Sequence, residues 1–331
     1  MKEMKKFTAL FLAGAAAVSL AGCSGGSADT APSGNTDAGS DTYTVGICQL
    51  VQHVALDAAT QGFRDYLEEA YGDKVEFVDQ NAAGDPATCV TICNQLVSEK
   101  VDLILANATP ALQAAASATD SIPVLGTSIT EYGVALDIDN FNGTVGTNVS
   151  GTSDLAPLDQ QADIFDELLP DANNIGILYC SAEANSVYQA DVVKAALEDK
   201  GKTVTVYTFS DSNDVAQVAG VACAENDALY IPTDNTAASS AAAIDNVASQ
   251  ANVPIICGEE GLCEGCGIAT LSISYYELGR ATGMMAERIL NGEDVKTMPV
   301  EYYANPTKKY MASRCEALGI SVPSDYEPIG E

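Results

Sequence analysis

The sequence ALYIPTDNTA, residues 228–237, joins a predicted strand to a predicted helix. Its first four residues are apolar, which is typical of a short buried strand, and Pro232 then interrupts the strand. Thr233, Asp234 and Asn235 follow, just before an alanine-rich helical segment. In an open α/β sheet, ligands bind beyond the carboxyl ends of the strands, so this turn is a candidate binding loop. Helix capping is the alternative role for Asp234, because Asp is a good N-cap residue.

The order of strand, polar turn and helix occurs twice along the chain. Three pairs of segments match at offsets of 130, 125 and 131 residues: 45–49 with 175–179, 102–110 with 227–235, and 122–126 with 253–257. Amphipathic helical stretches such as residues 55–71 lie between the strands. This alternation predicts parallel sheets with right-handed crossovers. We therefore expect an α/β fold of two Rossmann-like lobes with a central cleft.

The first 23 residues have the layout of an export signal. Three lysines precede an apolar run, residues 7–20, that is too short to span a membrane. The sequence Leu20-Ala21-Gly22-Cys23 is typical of a lipoprotein signal, in which Cys23 becomes the lipidated N-terminus. An ordinary cleaved signal with a nearby cysteine is the alternative. Residues 24–42 are small and polar, which predicts a flexible linker.

The charge balance excludes polyanionic partners. The chain has 15 Lys and Arg against 46 Asp and Glu, a net charge of −31. Such a chain repels phosphate backbones, so we expect no nucleic-acid partner.

Polar side chains gather in the loops that follow the predicted strands. The candidate ligand-binding residues are Gln49, His53, Thr109, Thr127 and Ser128 in the first repeat, and Asn185, Ser186, Thr233, Asp234, Asn235 and Glu259 in the second. None of these loops contains Lys or Arg, which disfavours an anionic ligand. A zwitterion fits better, with its carboxylate on hydroxyls and helix N-termini. Asp234 is the favoured partner of its ammonium, and Glu259 and Glu260 are the alternatives.

Catalytic and metal-binding patterns are weak. His53 is the single His, which leaves little material for a catalytic triad or a His-based metal site, and no glycine-rich phosphate loop occurs. Cys263 and Cys266 form an isolated CxxC with no second pair of ligands. A local disulfide and free thiols both remain open there. We expect no metal, no cofactor and no enzyme activity.

Five stretches resemble the substrate-binding proteins of ABC transporters, in particular the type that binds tryptophan and other aromatic amino acids. They are ICQLVQHVALDAATQGF (47–63), LILANATPALQAAA (103–116), SAEANSVYQA (181–190), YIPTDNTAAS (230–239) and SISYYELGRATGMMAERIL (272–290). The resemblance covers nearly all of residues 43–300. It departs at Val54, where the family is expected to have Pro after the His, and in the cysteine-rich segment 257–266.

The resemblance implies a type I periplasmic binding protein-like fold, with lobe 1 at residues 43–150 plus about 276–293 and lobe 2 at 151–275 plus about 294–331. In that layout the helix near residues 277–291 crosses back to the first lobe, and the strand near 300–303 returns to the second.

The implied function is that of a lipid-anchored, extracytoplasmic component of an ABC importer. It closes two lobes over an amino acid, with an aromatic one favoured, and we expect a monomer that works with a permease and an ATPase. A lipoprotein of the same fold that senses its ligand and signals through a partner is the alternative, as is binding of another small neutral or cationic solute.

Overall fold

The computed structural model describes residues 42–303 and 305–330. The predicted export signal with Cys23, and the predicted linker except Thr42, lie outside the described residues. The first group of elements is β1 (Tyr43–Gln49), α1 (Val54–Tyr71), β2 (Val75–Asn81), α2 (Pro86–Glu99), β3 (Leu103–Asn107), α3 (Thr109–Ala118), β4 (Val124–Ile129), α4 (Tyr132–Ala135) and β5 (Val149–Ser153).

The second group repeats this alternation. It comprises α5 (Leu158–Leu168), β6 (Asn174–Cys180), α6 (Ala184–Asp199), β7 (Thr203–Phe209), α7 (Val215–Glu225), β8 (Ala228–Ile231), α8 (Asn235–Ser239), α9 (Ala241–Ala251), β9 (Ile255–Cys257), α10 (Glu260–Cys266) and β10 (Ala269–Ser272). The chain ends with α11 (Tyr275–Leu290), β11 (Glu301–Tyr302), β12 (Thr307–Tyr310), α12 (Ala312–Leu318) and β13 (Glu327–Pro328).

Each lobe is built on one mainly parallel sheet. Within the described residues, the strand order is β11-β5-β4-β3-β1-β2 in the first sheet and β13-β12-β10-β9-β8-β6-β7 in the second. The first five strands of each repeat therefore have the same arrangement, in which the opening strand lies between the second and the third. β12 is antiparallel to β10. The predicted α/β class with two Rossmann-like lobes is confirmed.

Helices α1 and α11 lie backbone against backbone on the first lobe. A Cβ atom on Gly62 would overlap the carbonyl oxygen of Tyr276, and one on Gly279 would overlap the carbonyl oxygen of Ala59. Any larger side chain at these two positions would force the helices apart. Farther along α11, Met285 and Ile289 pack into the core beneath β1 and β3.

The prediction that the strand near residues 300–303 joins the second lobe is wrong. Glu301 and Tyr302 form β11, which pairs in parallel with Thr152 and Ser153 of β5 in the first sheet. The preceding segment is held there because the Ser150 hydroxyl lies 3.1 Å from the carbonyl oxygen of Met298. Without β11, β5 would be the edge strand next to β4, and the two residues of β11 pair with some of its backbone N–H and C=O groups that would otherwise lack partners. The other lobe boundaries stay predictions.

The cysteines of the described chain belong to its hydrophobic cores. All nine are buried and free. Cys257 ends β9, and Cys263 and Cys266 lie on α10, so the CxxC segment is helical. Their small apolar side chains fill the core of the second lobe. Along residues 42–303 and 305–330, every helix is too short or too polar to cross a bilayer.

Candidate functional site

A pocket lies where the carboxyl ends of the strands from the two sheets face each other. We call it the interlobe pocket. The space in it that is open to the centre of a water molecule is about 10 Å³, room for about one water, because the two lobes are closed on each other here. Seven residues predicted from sequence line it: His53, Ser128, Asn185, Thr233, Asp234, Asn235 and Glu259. Five others complete it: Leu56, Thr130, Asp154, Ala238 and Tyr275.

Two residues of the first lobe have strained backbone conformations, and one of them, Ser128, lines the pocket. Ala108 precedes α3 with φ 87°, and Ser128 near the end of β4 has φ 57°. Residues other than glycine rarely adopt such angles, and when they do it is often at functional sites. The Ser128 hydroxyl is buried and has no hydrogen-bond partner among the described residues. The first lobe therefore presents a free hydroxyl to the pocket at the cost of backbone strain.

Direct hydrogen bonds join the two lobes across the pocket. His53 Nε2 lies 3.2 Å from Asn235 Oδ1, and the Thr130 hydroxyl lies 3.4 Å from that of Thr233. Gln189 on α6 extends the second contact, because its Nε2 donates to the Thr130 hydroxyl at 3.2 Å. The lobes are therefore in contact around the pocket.

The contacts of Asn235 fix the tautomer of His53. Asn235 Nδ2 donates to Glu183 Oε2 at 2.7 Å, so the oxygen of the amide faces His53. His53 must therefore donate through Nε2, which leaves Nδ1 as a bare acceptor. Nδ1 is buried without a partner among the described residues. Burial lowers the pKa of His53, which keeps the ring neutral.

Three buried carboxylates hold helix N-termini around the pocket. Asp234 accepts hydrogen bonds from the backbone nitrogens of Ala237 at 2.7 Å and Cys180 at 2.6 Å. Glu259 caps α10 by accepting from Gly261 and Leu262. Glu183 accepts from the backbone nitrogens of Asn235 and Thr236 at the start of α8. Each carboxylate satisfies helix N–H groups that would otherwise lack partners.

Burial also changes the pKa values of Asp234 and Glu259. Burial, with the nearby Glu183 charge as a smaller cause, raises the pKa of Asp234 to about 8. Burial raises the pKa of Glu259 to about 7, against the hydrogen bonds from Gly261 and Leu262. No Lys or Arg is among the described residues that line the pocket. The pocket is therefore a site of excess negative charge in need of protons or of a cation.

Asp154 is the acidic residue that sequence reasoning missed. It follows β5 directly, it is buried, and its Oδ2 accepts a hydrogen bond from the Tyr275 hydroxyl at 2.8 Å. Its Oδ1 is buried without a hydrogen-bond partner among the described residues. Burial raises the pKa of Asp154, and the hydroxyls of Tyr275 and Thr130 oppose this. The strand before it reads VSGTS with a single apolar side chain, so the sequence offered little signal for this site residue.

Four predicted site residues do not line the interlobe pocket. The Gln49 amide is used within lobe 1, where it donates to Asp57 and accepts from Thr60. Thr127 bonds the buried hydroxyls of Thr152 and Thr282. Thr109, in the first turn of α3, and Ser186, whose hydroxyl contacts the pocket residue Asn185, are buried but do not line it. Glu260, an alternative to Asp234, pairs with Lys309 at 2.6 Å.

Comparison with known protein families gives a match over most of the chain. The profile of the family described as ABC transporter substrate binding protein matches residues 44–325. A protein named "Tyrosine-binding protein" from Clostridioides difficile (strain R20291) is 36% identical over 308 residues, which are 91% of this chain and 88% of that protein.

Solved structures are also similar to this chain. The ABC domain in complex with L-Trp from Streptococcus pneumonia is 33% identical, with TM-score 0.82 over 86% of this chain and 96% of that one. The ligand-free, open structure of a substrate binding protein with adhesive properties from Clostridium difficile is 36% identical, with TM-score 0.66 over 87% and 99%. Because the identities are similar, the higher TM-score indicates a lobe arrangement closer to that of the L-Trp complex.

More distant relatives support the fold alone. Solute-binding proteins at 16% and 18% identity, with TM-scores of 0.58 and 0.59, confirm the type I periplasmic binding protein-like fold. Substrate-binding proteins of ABC transporters are extracytoplasmic. The chain belongs to the ABC transporter substrate-binding protein family.

Proposed function

We propose that this protein binds a zwitterionic amino acid, with an aromatic one favoured, between its lobes and delivers it to an ABC permease and its ATPase. The observation that carries the proposal is a set of buried acceptors in the interlobe pocket that have no hydrogen-bond partner among the described residues. They are His53 Nδ1, Asp154 Oδ1 and Asn185 Oδ1. An ammonium group has three N–H donors, so one ammonium matches the set.

The three acceptors are fixed as acceptors by their neighbours. His53 uses its other ring nitrogen on Asn235. The Asn185 amide nitrogen donates to the Thr233 carbonyl at 2.9 Å, which leaves the amide oxygen free. Asp154 supplies the negative charge that makes burial of an ammonium tolerable. We therefore assign the ammonium to Asp154 rather than to Asp234, whose two oxygens each already serve a backbone nitrogen.

The ligand carboxylate has a partner on lobe 1. The Ser128 hydroxyl is free to donate, and α1 begins beside it without a side-chain cap at His53. The first turn of α1, which includes Leu56, offers backbone N–H groups and the positive end of the helix dipole. A carboxylate there needs no Lys or Arg.

The apolar lining of the pocket and the names of the related proteins favour an aromatic side chain on the ligand. Leu56, Ala238 and Tyr275 provide apolar surface to the pocket. An aromatic side chain buries about 150–250 Å², which at roughly 25 cal/mol/Å² contributes about 4–6 kcal/mol. One relative is named for tyrosine and another contains L-Trp. Both lines favour an aromatic ligand.

The proposed mechanism is ligand-stabilised closure of the two lobes. Asp154 and Ser128 on the first-lobe side and Asn185 on the second hold the same ligand, so the ligand favours the closed state over an open one. The protein then acts as a binding protein and not as an enzyme. Lipidation at Cys23 would hold this monomeric receptor at the membrane beside its importer.

Binding of free tryptophan and two truncated analogues tests the proposal. The chain contains no Trp, so the fluorescence of bound tryptophan has no protein background. We expect Trp, Tyr and Phe to bind more tightly than Leu. Tryptamine lacks the carboxylate and indole-3-propionate lacks the ammonium, and each should bind at least tenfold more weakly than tryptophan.

Two results would contradict the proposal. Absence of binding for all four amino acids would refute an aromatic amino acid ligand. Tighter binding of tryptamine than of tryptophan would instead identify a cationic solute, which the excess of buried carboxylates would favour.

A further inference from the structure

Asp154 and Tyr275 lie on two different passages of the chain between the lobes. Asp154 comes directly after β5, the last strand of the first repeat, where the chain leaves for the second sheet. Tyr275 opens α11, where the chain returns from β10 to the first lobe. The 2.8 Å hydrogen bond between the Tyr275 hydroxyl and Asp154 Oδ2 therefore joins the two passages. Both side chains are buried.

The segment around Asp154 is held by further hydrogen bonds. Its backbone nitrogen donates to the Ile129 carbonyl at 3.1 Å. The neighbouring Ser153 hydroxyl donates to the Thr130 carbonyl at 2.9 Å and accepts from the Leu155 nitrogen at 3.2 Å. The main chain of Asp154 is thus fixed, and the direction of its carboxylate is set by its partner Tyr275.

The two oxygens of Asp154 have different surroundings. Oδ2 receives the Tyr275 hydroxyl, whereas Oδ1 is buried at the pocket with no partner among the described residues. We propose that Tyr275 is a positioning residue that holds Asp154 Oδ1 toward the ligand ammonium and links ligand binding to the geometry of the two interlobe passages. This inference rests on the proposed function, because it requires an ammonium in the pocket.

The titratable groups around Asp154 make the effect of Tyr275 on ligand binding dependent on pH. Tyr275 from α11, Tyr132 from α4 and Glu259 at the start of α10 are titratable groups near it, and the neutral His53 and the acid Asp234 before α8 line the same pocket. No lysine or arginine lines the described pocket to stabilise the carboxylate. The Tyr275 hydroxyl lowers the pKa of Asp154 against the effect of burial. Its removal should therefore raise that pKa further.

The affinity for tryptophan depends on whether Asp154 is ionised. Ammonium binding requires the ionised carboxylate, so tryptophan affinity falls as the pH drops through the pKa of Asp154 in the free protein. In Tyr275→Phe this pKa is higher, so the affinity should begin to fall at a higher pH than in the wild type.

Tyr276→Phe is the matched control for Tyr275→Phe. The Tyr276 hydroxyl donates to Asp65 at 2.8 Å, away from the pocket, so this variant loses one tyrosine hydroxyl at the adjacent position. Tryptophan binding is measured by fluorescence from pH 5 to 9 with the full chain, and melting temperatures establish that each variant is folded. We expect Tyr275→Phe to bind at least tenfold more weakly at pH 7, with its acid limb moved to higher pH. Tyr276→Phe should follow the wild type.

The outcomes separate the two proposals. Wild type that binds no amino acid refutes the proposed function and this inference with it. Wild-type binding together with an unchanged acid limb in Tyr275→Phe refutes the inference alone, even if affinity falls evenly at every pH. A double-mutant cycle with Asp154→Asn gives a second criterion, because Tyr275→Phe should have little further effect once the charge is gone. Full additivity in the cycle would overturn the inference.

Discussion

Asp234 Oδ2 lies 2.6 Å from the backbone nitrogen of Cys180, which ties the start of α8 to the end of β6. Its other oxygen caps α8 through Ala237. Asp234→Asn keeps one acceptor and turns an amide N–H toward a second backbone donor. We expect the free energy of unfolding to fall by about 1–3 kcal/mol, measured by urea denaturation at constant pH.

Asp214→Asn is the control for Asp234→Asn. Asp214 also precedes a helix, α7, but its side chain makes no capping hydrogen bond and is exposed. Its substitution should change stability by less than about 0.5 kcal/mol. Equal losses in the free energy of unfolding for the two substitutions would show that the hydrogen bonds of Asp234 to Ala237 and Cys180 do not stabilise the fold.

Asp154→Asn should weaken tryptophan binding more than Asp234→Asn does. A hydrogen bond to a charged group contributes about 1.5–3 kcal/mol, so the expected loss is tenfold or more. Asp159→Asn, at an exposed position in the first turn of α5, is the control and should bind as the wild type. If Asp154→Asn binds normally and folded Asp234→Asn does not, the ammonium lies at Asp234.

The ligand-free protein should lose stability as the pH rises from about 5 to 8. The folded-state pKa values of Asp234, about 8, and Glu259, about 7, are raised, so the folded chain holds protons there that the unfolded chain has released. His53 has the opposite effect. Because burial lowers its pKa in the folded chain, the folded chain binds one proton fewer than the unfolded chain at pH values below the ordinary pKa of histidine. Burial also raises the pKa of Asp154, which acts in the same direction as the other two acids, so the free energy of unfolding should fall by roughly 1.4 kcal/mol per pH unit for each excess proton that the folded chain holds.

Glu259→Gln tests the origin of that slope. Removal of this acid takes away one of the excess protons held by the folded chain, so the fall in the free energy of unfolding between pH 5 and 7 should become less steep by up to roughly 1.4 kcal/mol per pH unit. Urea denaturation at each pH measures it. A wild-type stability that rises steadily over this range would contradict the assignment.

Gln189→Ala should weaken ligand binding without removing a ligand contact. Gln189 is buried and its amide bridges Thr130 of the first lobe and Thr233 of the second. Loss of these bonds lowers the population of the closed state, and we expect about tenfold weaker tryptophan binding, since each net bond contributes about 0.5–1.5 kcal/mol. Gln217→Ala, exposed on α7, is the control. Unchanged affinity in Gln189→Ala would show that the bridge does not contribute to closure.

Cys23→Ala should abolish membrane attachment of the protein. Cys23 ends the lipoprotein-like signal and is the proposed site of lipidation. Detergent phase partitioning of the wild type and the variant measures attachment. Recovery of both from the aqueous phase would refute the anchor.

Sequence reasoning located the loops of the pocket but not which of their side chains face it. His53, Asn185 and Thr233 meet because parallel strands of both sheets end at one cleft, which the repeat predicts. Thr127 and Ser128 are neighbours, yet only Ser128 lines the pocket, because the backbone at Ser128 is left-handed (φ 57°) where the pairing register of β4 shifts. Asp154 and Tyr275 lie where the chain passes between lobes, so no single strand–helix repeat indicates them. The two-residue strand β11 has too little pattern to reveal its partner.

Gly62 and Gly279 allow α1 and α11 to pack with their backbones in direct contact, so the two helices move as one rigid unit. At its end beside the cleft it carries His53 and Leu56, together with Tyr275. Rotation at the passage that precedes α11 therefore cannot change the separation of these three residues. A ligand therefore meets these three residues as one preformed surface, and the second-lobe residues move onto it as the lobes close.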